Sequence, residues 1–440
     1  MTPDIARLAY MAREAPTEKL TSLMGMVFRE EGLHDSFRRL PGNKAPGVDG
    51  VRKDEYGQNL AERIGELSKR LRDLAYVPQP ARRVYIPKLD GGRRPLGIPA
   101  FECRLVQDRV SQILQATWEP QFKGCSYGYR PGIGAHKALH ELARVITCEP
   151  IRYVVEADIK GFFNHVNHDW LMKFVAHRIA DQKFLQLINR FLKAGVMEDG
   201  AVSATEEGTP QGGLASPVLA NIYLHYVLDM WFEHVFRKEC RGKAFLIRYC
   251  DDFVVCFEQG TDASAFMRAL TGRLGKFGLE TEPSKTKTIR FGKWAAQDNE
   301  AEGKPNETFS FLGLTHYLGR SRKGGFLVGR KTERKRIRKK LKEVSGKLKS
   351  LRTAGGAAMY RYARQHLQGH YQYYGVSGNS RPMSNYKAAV ERILYKWLNR
   401  RSQRRSIRWK RFHQLLKAGL LPQPKIYHDM YNFLARPCRV

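Results

Sequence analysis

The segment from Arg248 to Val255 reads RYCDDFVV, in which two adjacent aspartates stand between hydrophobic residues that favour β-strands. These flanking residues predict two buried strands, so we expect Asp251 and Asp252 at the tip of a hairpin. Ionised carboxylates are costly in an apolar setting unless a cation compensates them, and Mg²⁺ prefers oxygen ligands. The octet therefore predicts a metal-binding turn, although an isolated Asp-Asp pair is also typical of an ordinary surface turn.

A second apolar segment also ends in a carboxylate. Residues 153–163 read YVVEADIKGFF, a strand-like run that ends at Asp158 and is followed by Gly161 and two aromatic residues. Three carboxylates on two neighbouring strand ends can hold two metal ions roughly 3.5 to 4 Å apart, the arrangement that catalyses in-line phosphoryl displacement. We therefore predict a two-metal site at Asp158, Asp251 and Asp252.

The overall charge indicates the class of partner. The 440 residues include 76 Lys and Arg against 43 Asp and Glu, a formal net charge of +33. This sign and size favour binding to a polyphosphate backbone, so nucleic acid is the expected partner. The length predicts roughly two to four domains, and 42% hydrophobic residues are enough to fill their cores.

No targeting or membrane segment is expected. The N-terminal stretch carries charges throughout, and no uninterrupted apolar run approaches 18 residues. Seven cysteines occur without a C-x-x-C pair, which argues against a zinc site and a full set of disulfides. The sequence therefore predicts a reducing, cytoplasmic location without a membrane partner.

A basic hairpin is expected upstream of the aspartates. Two short extended segments flank Asp90-Gly91-Gly92, and their arms carry Lys88 and Arg94. Such cations can hold a triphosphate, because Arg clamps phosphate bidentately and Lys acts as a point charge. A solvated basic hairpin is the alternative that the residues leave open.

The C-terminal third is basic and predominantly helical in pattern. Residues 331–349 contain ten Lys and Arg and two acidic residues, while apolar residues recur every three or four positions from Ile337 to Leu351. This predicts a helix with one apolar stripe and a basic outer face, either solvated or tracking a nucleic acid backbone. The tyrosines of residues 359–374 are expected either to stack on bases or to pack between helices. Residues 397–411 add seven basic residues and two tryptophans, a pattern that fits nucleic acid contact.

Seven blocks of the chain, in this order, resemble the reverse transcriptases encoded by group II introns, which also act as intron maturases. The blocks are IPKLDGGRRPLGIPA, SYGYRPGIGAHKAL, EADIKGFFNHVNH, GTPQGGLASPVLANIYL, RYCDDFVV, GLETEPSKTKT and FSFLGLTHY. The resemblance implies an α+β right-hand polymerase with fingers, a palm built on an antiparallel sheet, and a helical thumb. The expected divisions are an N-terminal helical extension at 1–36, fingers at 37–152, palm at 153–325, thumb at 326–385 and a basic C-terminal region at 386–440.

The resemblance also implies roles for individual residues. Asp158, Asp251 and Asp252 match the catalytic carboxylates, and Ile159 would add a backbone carbonyl to a metal. Phe163 matches the aromatic residue under the incoming sugar, where its ring would exclude a 2′-OH unless it only packs in the palm core. The expected nucleotide contacts are Lys88, Arg94, Gln211 and Lys285. The expected nucleic acid contacts are Arg334, Lys335, Arg338, Lys339, Lys342, Arg400, Arg401, Arg404, Arg405, Arg408 and Trp409.

Two features depart from the family pattern. Cys250 stands where the intron enzymes usually have alanine, giving YCDD for YADD; cysteine is small and hydrophobic, so the turn is still expected to form. The change bears on fine properties such as primer handling, and it is compatible with a host-adopted relative. No Cys/His cluster of the HNH-nuclease type follows the basic region, so any second-strand cleavage is expected to come from elsewhere.

The expected reaction is attack of a DNA primer 3′-OH on the α-phosphate of a dNTP, templated by RNA, with two Mg²⁺ ions for which Mn²⁺ can substitute. We expect a reverse transcriptase that also binds intron RNA to assist splicing and retrohoming. Two alternatives are a host-adopted reverse transcriptase in DNA repair or phage defence, and a non-catalytic RNA-binding splicing cofactor. The three intact aspartates speak against the last.

Overall fold

The computed structural model describes residues 2–87, 91–198, 200–203, 207–208, 212–321, 324–400 and 406–432. The α-helices are α1 Pro3–Glu14, α2 Met24–Phe28, α3 Glu30–Arg39, α4 Lys53–Tyr56, α5 Leu60–Arg72, α6 Phe101–Trp118, α7 Ala135–Cys148, α8 His168–Ala176, α9 Gln182–Lys193, α10 Ser216–Leu224, α11 Arg237–Glu239, α12 Gly260–Gly275, α13 Lys293–Ala301, α14 Arg334–Ser350, α15 Gly356–Tyr374, α16 Ser380–Leu398 and α17 Trp409–Lys417. The strands are β1 Ala81–Pro87, β2 Arg93–Ile98, β3 Tyr153–Asp158, β4 Val196–Glu198, β5 Ala201–Ser203, β6 Ala244–Tyr249, β7 Asp252–Phe257, β8 Lys287–Arg290, β9 Phe309–Phe311, β10 Leu314–Arg320 and β11 Phe326–Thr332.

An antiparallel sheet in the order β6-β7-β3-β8 forms the centre of the molecule. Successive side chains of a strand point to opposite faces, and in β7 both sets are apolar and buried. Phe253 and Val255 enter one hydrophobic core, whereas Val254 and Cys256 enter the other. The sheet is therefore covered on both faces, and its strand ends hold the candidate site.

The core on one face is formed by helices from the N-terminal half together with α8, α9, α10 and α12. A second, mixed sheet in the order β2-β1-β4-β5 lies in this half of the chain, with β1 antiparallel to β2 and parallel to β4. The core on the other face is formed by α7, the three-stranded sheet β11-β10-β9 and helices α14 to α17. The structure therefore confirms the predicted α+β fold with an antiparallel central sheet.

The structure confirms most of the predicted elements and refines their bounds. The N-terminal segment consists of three helices, and it is followed by α4, a 3₁₀ turn and α5. The basic helix is α14, whose stripe residues Val344 and Leu348 are fully buried. Gly355, at φ +90°, lies between α14 and α15, in the left-handed region that glycine tolerates. No helix of the described residues is long and apolar enough to cross a membrane.

Candidate active site

The predicted hairpin is present, and it brings the three aspartates to one edge of the sheet. Cys250 and Asp251 form the two-residue connection between β6 and β7, and Tyr249 pairs with Asp252. Cys250 takes φ +60°, an unusual conformation for a residue other than glycine. Asp252 is also the register partner of Asp158, the last residue of β3. The carboxylates at the adjoining ends of β3 and β7 and in the turn that precedes β7 are thus neighbours.

The electrostatics of the turn show the cost of this arrangement. Burial raises the pKa of Asp251, and the nearby charge of Asp158 raises it further. Burial and the charges of Asp251 and Asp158 raise the pKa of Asp252 to about 7. Neither side chain is fully exposed. Repulsion between these partly buried like charges therefore destabilises the ionised site, and a bound cation would relieve it.

A lysine ammonium lies against the first aspartate. Lys285 Nζ is 2.6 Å from Asp158 Oδ2, and the backbone nearby is tied together because the amide of Glu282 donates to the carbonyl of Asp158. Among the residues that the structure describes, no group of three or more His, Cys, Asp or Glu side chains converges as a ready-made metal site. The donors at this edge are nonetheless all carboxylate oxygens, the chemistry that suits a hard divalent cation. Ile159 is buried, and its backbone pairs with Thr281.

Phe163 follows the sheet edge in a short 3₁₀ turn, Phe162–Asn164, which begins after Gly161 at φ +54°. Its ring is half-buried and meets the fully buried ring of Phe162 edge-on at 5.3 Å. The backbone of Phe163 also lies close to Gly208, where an added Cβ would be 2.8 Å from the Phe163 carbonyl oxygen. Phe163 therefore has one side against the core and a partly exposed side, as a residue that contacts a ligand would need.

The basic hairpin forms as predicted from β1 and β2, and Arg94 lies exposed on β2 opposite Ile86. The positive charge of Arg94 acts to lower the pKa of Asp251, so this arm of the hairpin lies within electrostatic reach of the turn. Gly212 packs against the same strand, since an added Cβ would be 2.3 Å from the carbonyl oxygen of Gly97. Lys88 and Gln211 lie outside the described residues.

The predicted nucleic acid contacts are mainly exposed cations. Lys339 differs, because it is half-buried and its Nζ donates to the carbonyl oxygen of Pro87, 2.9 Å away. Arg401, Arg404 and Arg405 lie outside the described residues. The exposed members are Arg334, Lys335, Arg338, Lys342, Arg400, Arg408 and Trp409. In α15, Tyr371 and Tyr374 are buried in the core, so at these positions the structure favours packing over base stacking.

Two residues near the turn, Tyr129 and Arg248, were not predicted from the sequence to belong to the site. Tyr129 takes φ +53° and is 49% exposed, and its ring centroid lies 6.3 Å from that of Tyr249. Burial and nearby charges, among them that of Asp251, raise the pKa of Tyr129 to about 12. Arg248 is fully buried and donates to the carbonyl oxygen of Cys250. Both residues stand in quoted motif blocks, but neither the positive φ nor the burial of a charge is visible in sequence.

Comparison with known proteins adds independent information. The profile of the family described as reverse transcriptase (RNA-dependent DNA polymerase) matches residues 86–316, a segment that contains all three aspartates. The chain is 33% identical over 356 residues to Protein YkfC of Escherichia coli (strain K12). This match covers 73% of this chain and 90% of that protein. It is 38% identical over 229 residues to the group II intron-encoded protein LtrA of Lactococcus lactis subsp. cremoris, covering 51% of this chain and 38% of that protein. An uncharacterized 91 kDa protein in the cob intron of Schizosaccharomyces pombe is 34% identical over 200 residues, 46% of this chain and 24% of that protein. The matches thus span less than half the length of these last two relatives.

Proposed function

Because the chain belongs to the reverse transcriptase (RNA-dependent DNA polymerase) family, we propose that Asp158, Asp251 and Asp252 hold the divalent ions of its polymerase reaction. The enzyme is an RNA-directed DNA polymerase. One observation carries the assignment of the three residues: Asp158 and Asp252 are register partners at adjoining strand ends, and Asp251 lies in the turn beside them. The raised pKa values of Asp251 and Asp252 support it, because they identify a site whose negative charge lacks compensation.

Two bound Mg²⁺ ions, or Mn²⁺ as a substitute, would supply the charge that activates the primer 3′-OH and stabilises the leaving pyrophosphate. The residues of the chain position this chemistry. Asp158 from β3 and Asp251 from the turn hold the ions, Asp252 supports them, and Ile159 offers a backbone carbonyl. The new bond joins the primer 3′-oxygen to the α-phosphorus of the dNTP, and the bond to the pyrophosphate oxygen breaks.

The nucleotide is proposed to bind between the turn and the basic hairpin. Arg94, with Lys88, would clamp the triphosphate, and Gln211 would contact the sugar and base. Lys285, which pairs with Asp158 in the protein alone, would exchange this ion pair for the negative charge of the nucleotide. Phe163, with its partly exposed ring, would select dNTPs by excluding a 2′-OH.

Nucleic acids are the partners of this family of enzymes, and the exposed cations of α14 and of the region from Arg400 to Trp409 are proposed to hold them. We further propose that the enzyme is of the group II intron type and binds intron RNA to assist splicing and retrohoming. The likeness to an intron-encoded protein and to an intron-located protein supports this. A cytoplasmic location in a bacterium belongs to the same proposal. A folded ribozyme in the DNA flanking the gene would distinguish this role from a host-adopted one.

Primer extension tests the catalytic assignment. Purified wild-type protein, Asp251→Ala and Asp298→Ala are incubated with an RNA template, a DNA primer, dNTPs and Mg²⁺, and the extended product is measured. We expect Asp251→Ala to lose extension, because it lacks a metal ligand, while it still binds RNA. Asp298 of α13, which pairs with Arg290 of β8, is the matched control, and its variant should extend like wild type.

Extension by Asp251→Ala at the wild-type rate contradicts the metal assignment. If the variant loses both RNA binding and primer extension, it is misfolded. The thermal transition of the same preparation checks this. If the wild-type protein binds structured RNA but extends no primer, the splicing-cofactor alternative replaces the polymerase.

A further inference from the structure

Arg248 stands in β6, two residues before the turn, and its side chain is completely buried. A guanidinium has five N–H donors, and each of them has an acceptor here. Nε and Nη2 donate to the two carboxylate oxygens of Asp229, at 2.7 and 2.5 Å. Nη2 also donates to Ser126 Oγ at 2.8 Å. Nη1 donates to Asn221 Oδ1 at 3.1 Å and to the carbonyl oxygen of Cys250 at 3.0 Å.

The last of these bonds reaches the catalytic turn itself. Cys250 is held at φ +60°, a conformation that a residue with a side chain rarely adopts, so the turn needs support from outside. Two supports are visible. Arg248 binds the Cys250 carbonyl, and Gly128 packs so close that an added Cβ would lie 2.6 Å from the Cys250 nitrogen. Asn221 joins the two supports, since its Nδ2 donates to the carbonyl of Gly128 at 2.6 Å while its Oδ1 accepts from Arg248.

The chain departs from regular helix geometry to place Asp229 in this network. Asn221 lies in α10, and the helix continues as a π-helix over His225–Asp229. Residues eight positions apart are about 80° apart around a regular α-helix of 3.6 residues per turn. The wider π turn reduces that angle, so Asn221 and Asp229 both face Arg248. Single π turns are rare and are frequently found at functional sites.

A buried ion pair is by itself weak evidence for stability, because desolvation offsets much of the attraction between its charges. A simpler apolar pair would fill the same space. Apolar residues cannot donate a hydrogen bond to the Cys250 carbonyl. The Arg248 guanidinium does so, and the Asp229 carboxylate, which lies on a different element, holds it in place. We propose that Arg248, fixed by Asp229, is a positioning residue for catalysis, which orients the Cys250–Asp251 turn so that Asp251 and Asp252 can bind metal. This inference rests on the proposed function of the aspartates.

The test compares Arg248→Lys and Asp229→Asn with a matched control, Arg109→Lys. Lysine keeps the charge but loses the planar fork, and asparagine keeps the shape but loses the charge. Arg109 is likewise fully buried and paired with an aspartate, Asp4, but it lies in α6 away from the turn. Three kinds of measurement are made on the full chain. They are Mn²⁺ binding by electron paramagnetic resonance without primer or dNTP, kcat and KM for primer extension, and the thermal transition.

We expect Arg248→Lys and Asp229→Asn to weaken Mn²⁺ binding about tenfold and to lower kcat about 10- to 100-fold, with little change in the KM for dNTP. Arg109→Lys should lower the thermal transition without changing Mn²⁺ affinity or kcat. If the Arg248 and Asp229 variants do not fold, Ser126→Ala decides the question. It removes a single acceptor and should weaken Mn²⁺ binding about threefold.

The inference is overturned if the variants that fold show wild-type Mn²⁺ affinity and kcat and differ only in their thermal transition. It is also overturned if Arg109→Lys changes Mn²⁺ affinity as much as Arg248→Lys does. Failure of the proposed function looks different. In that case Asp251→Ala itself binds Mn²⁺ and extends primers like wild type.

Discussion

At the scale of single residues, Asp252 shows most clearly what the catalytic turn costs the protein. Its pKa is raised from 3.8 to about 7 by burial and by the charges of Asp251 and Asp158. A carboxyl group whose pKa is higher in the folded than in the unfolded state lowers the free energy of unfolding as the pH rises from the unfolded-state pKa to the folded-state pKa. Without a divalent ion, the protein therefore loses this part of its stability from about pH 4 to pH 7.

Asp252→Asn should raise the stability of the metal-free protein at neutral pH. The pKa shift of Asp252 corresponds to about 4 kcal/mol of unfolding free energy for a carboxylate fully shielded from water. Asp252 is half-buried, and solvent screening reduces the expected gain in unfolding free energy to about 1–2 kcal/mol. Thermal transitions in EDTA at pH 5 and pH 8 measure the effect. We expect the transition temperature of the variant to exceed that of wild type at pH 8 and to differ less at pH 5. Added Mg²⁺ should stabilise wild type more than the variant, because the variant lacks one of the three carboxylates. An equal or lower transition at pH 8 would show that the carboxylate is already compensated.

At the scale of elements, α14 has an apolar side and a basic side. Val344 and Leu348 are fully buried in the core that covers the second face of the central sheet. Arg334, Lys335, Arg338 and Lys342 are exposed on the remaining surface. The apolar stripe fixes the helix, and the exposed face carries a row of positive charge suited to a phosphate backbone.

Arg338→Gln combined with Lys342→Gln should weaken template–primer binding and make it less sensitive to salt. Each phosphate contact that is lost lowers the slope of log affinity against log salt by about 0.9, or about 0.7 for single strands, so the double variant should lose between one and two units. Fluorescence anisotropy over a series of KCl concentrations measures the slope. Lys238→Gln with Lys276→Gln removes the same charge from exposed positions elsewhere and is the matched control. Equal slopes for both double variants would place the nucleic acid on another surface.

At the scale of the whole molecule, the central sheet separates two cores, and the basic helix α14 also contacts the basic hairpin of β1 and β2. Lys339 in α14 donates to the carbonyl of Pro87 at the end of β1, so the basic helix touches the basic hairpin. Both elements are proposed to hold substrate. At this contact, the gap between the basic helix and the basic hairpin is only the length of a hydrogen bond, which is far too narrow for a nucleic acid duplex. We therefore expect the two elements to separate when a duplex enters between them.

Spin labels at Ile86 and Lys342, both exposed, should therefore move apart when a template–primer duplex binds. The distance is measured by pulsed electron paramagnetic resonance with and without the duplex. A second pair, at Lys342 and Arg381, lies on the helices α14 and α16, which pack together, and should keep its distance. An unchanged distance between Ile86 and Lys342 in the bound state would show that the duplex binds without opening this contact.

Much of the site was predictable because its determinants are local. Hydrophobic residues that favour β-strands on both sides of Asp251 and Asp252 predict the strands, and the Asp-Gly-Gly turn predicts the basic hairpin. The stripe in residues 331–349 predicts α14. In each case the pattern lies within a few residues of the chain, so neighbouring side chains alone determine the local structure. The order of the seven motif blocks adds the family, which the comparisons confirm.

The sequence by itself determined the strands, the basic helix, the family and the identity of the candidate catalytic carboxylates, since these depend on residue type and spacing. Only the tertiary structure decided that Lys285 meets Asp158, that Lys339 meets Pro87, and that the tyrosines Tyr371 and Tyr374 pack in a core. It also decided the surroundings of Arg248, whose partners come from three segments of the chain: the loop at Ser126, the helix that carries Asn221 and Asp229, and the turn at Cys250. From the sequence alone, an arginine next to a metal-binding motif is expected to be exposed. Its burial depends on hydrogen-bond acceptors for the guanidinium, and packing between separate segments of the chain brings these acceptors together.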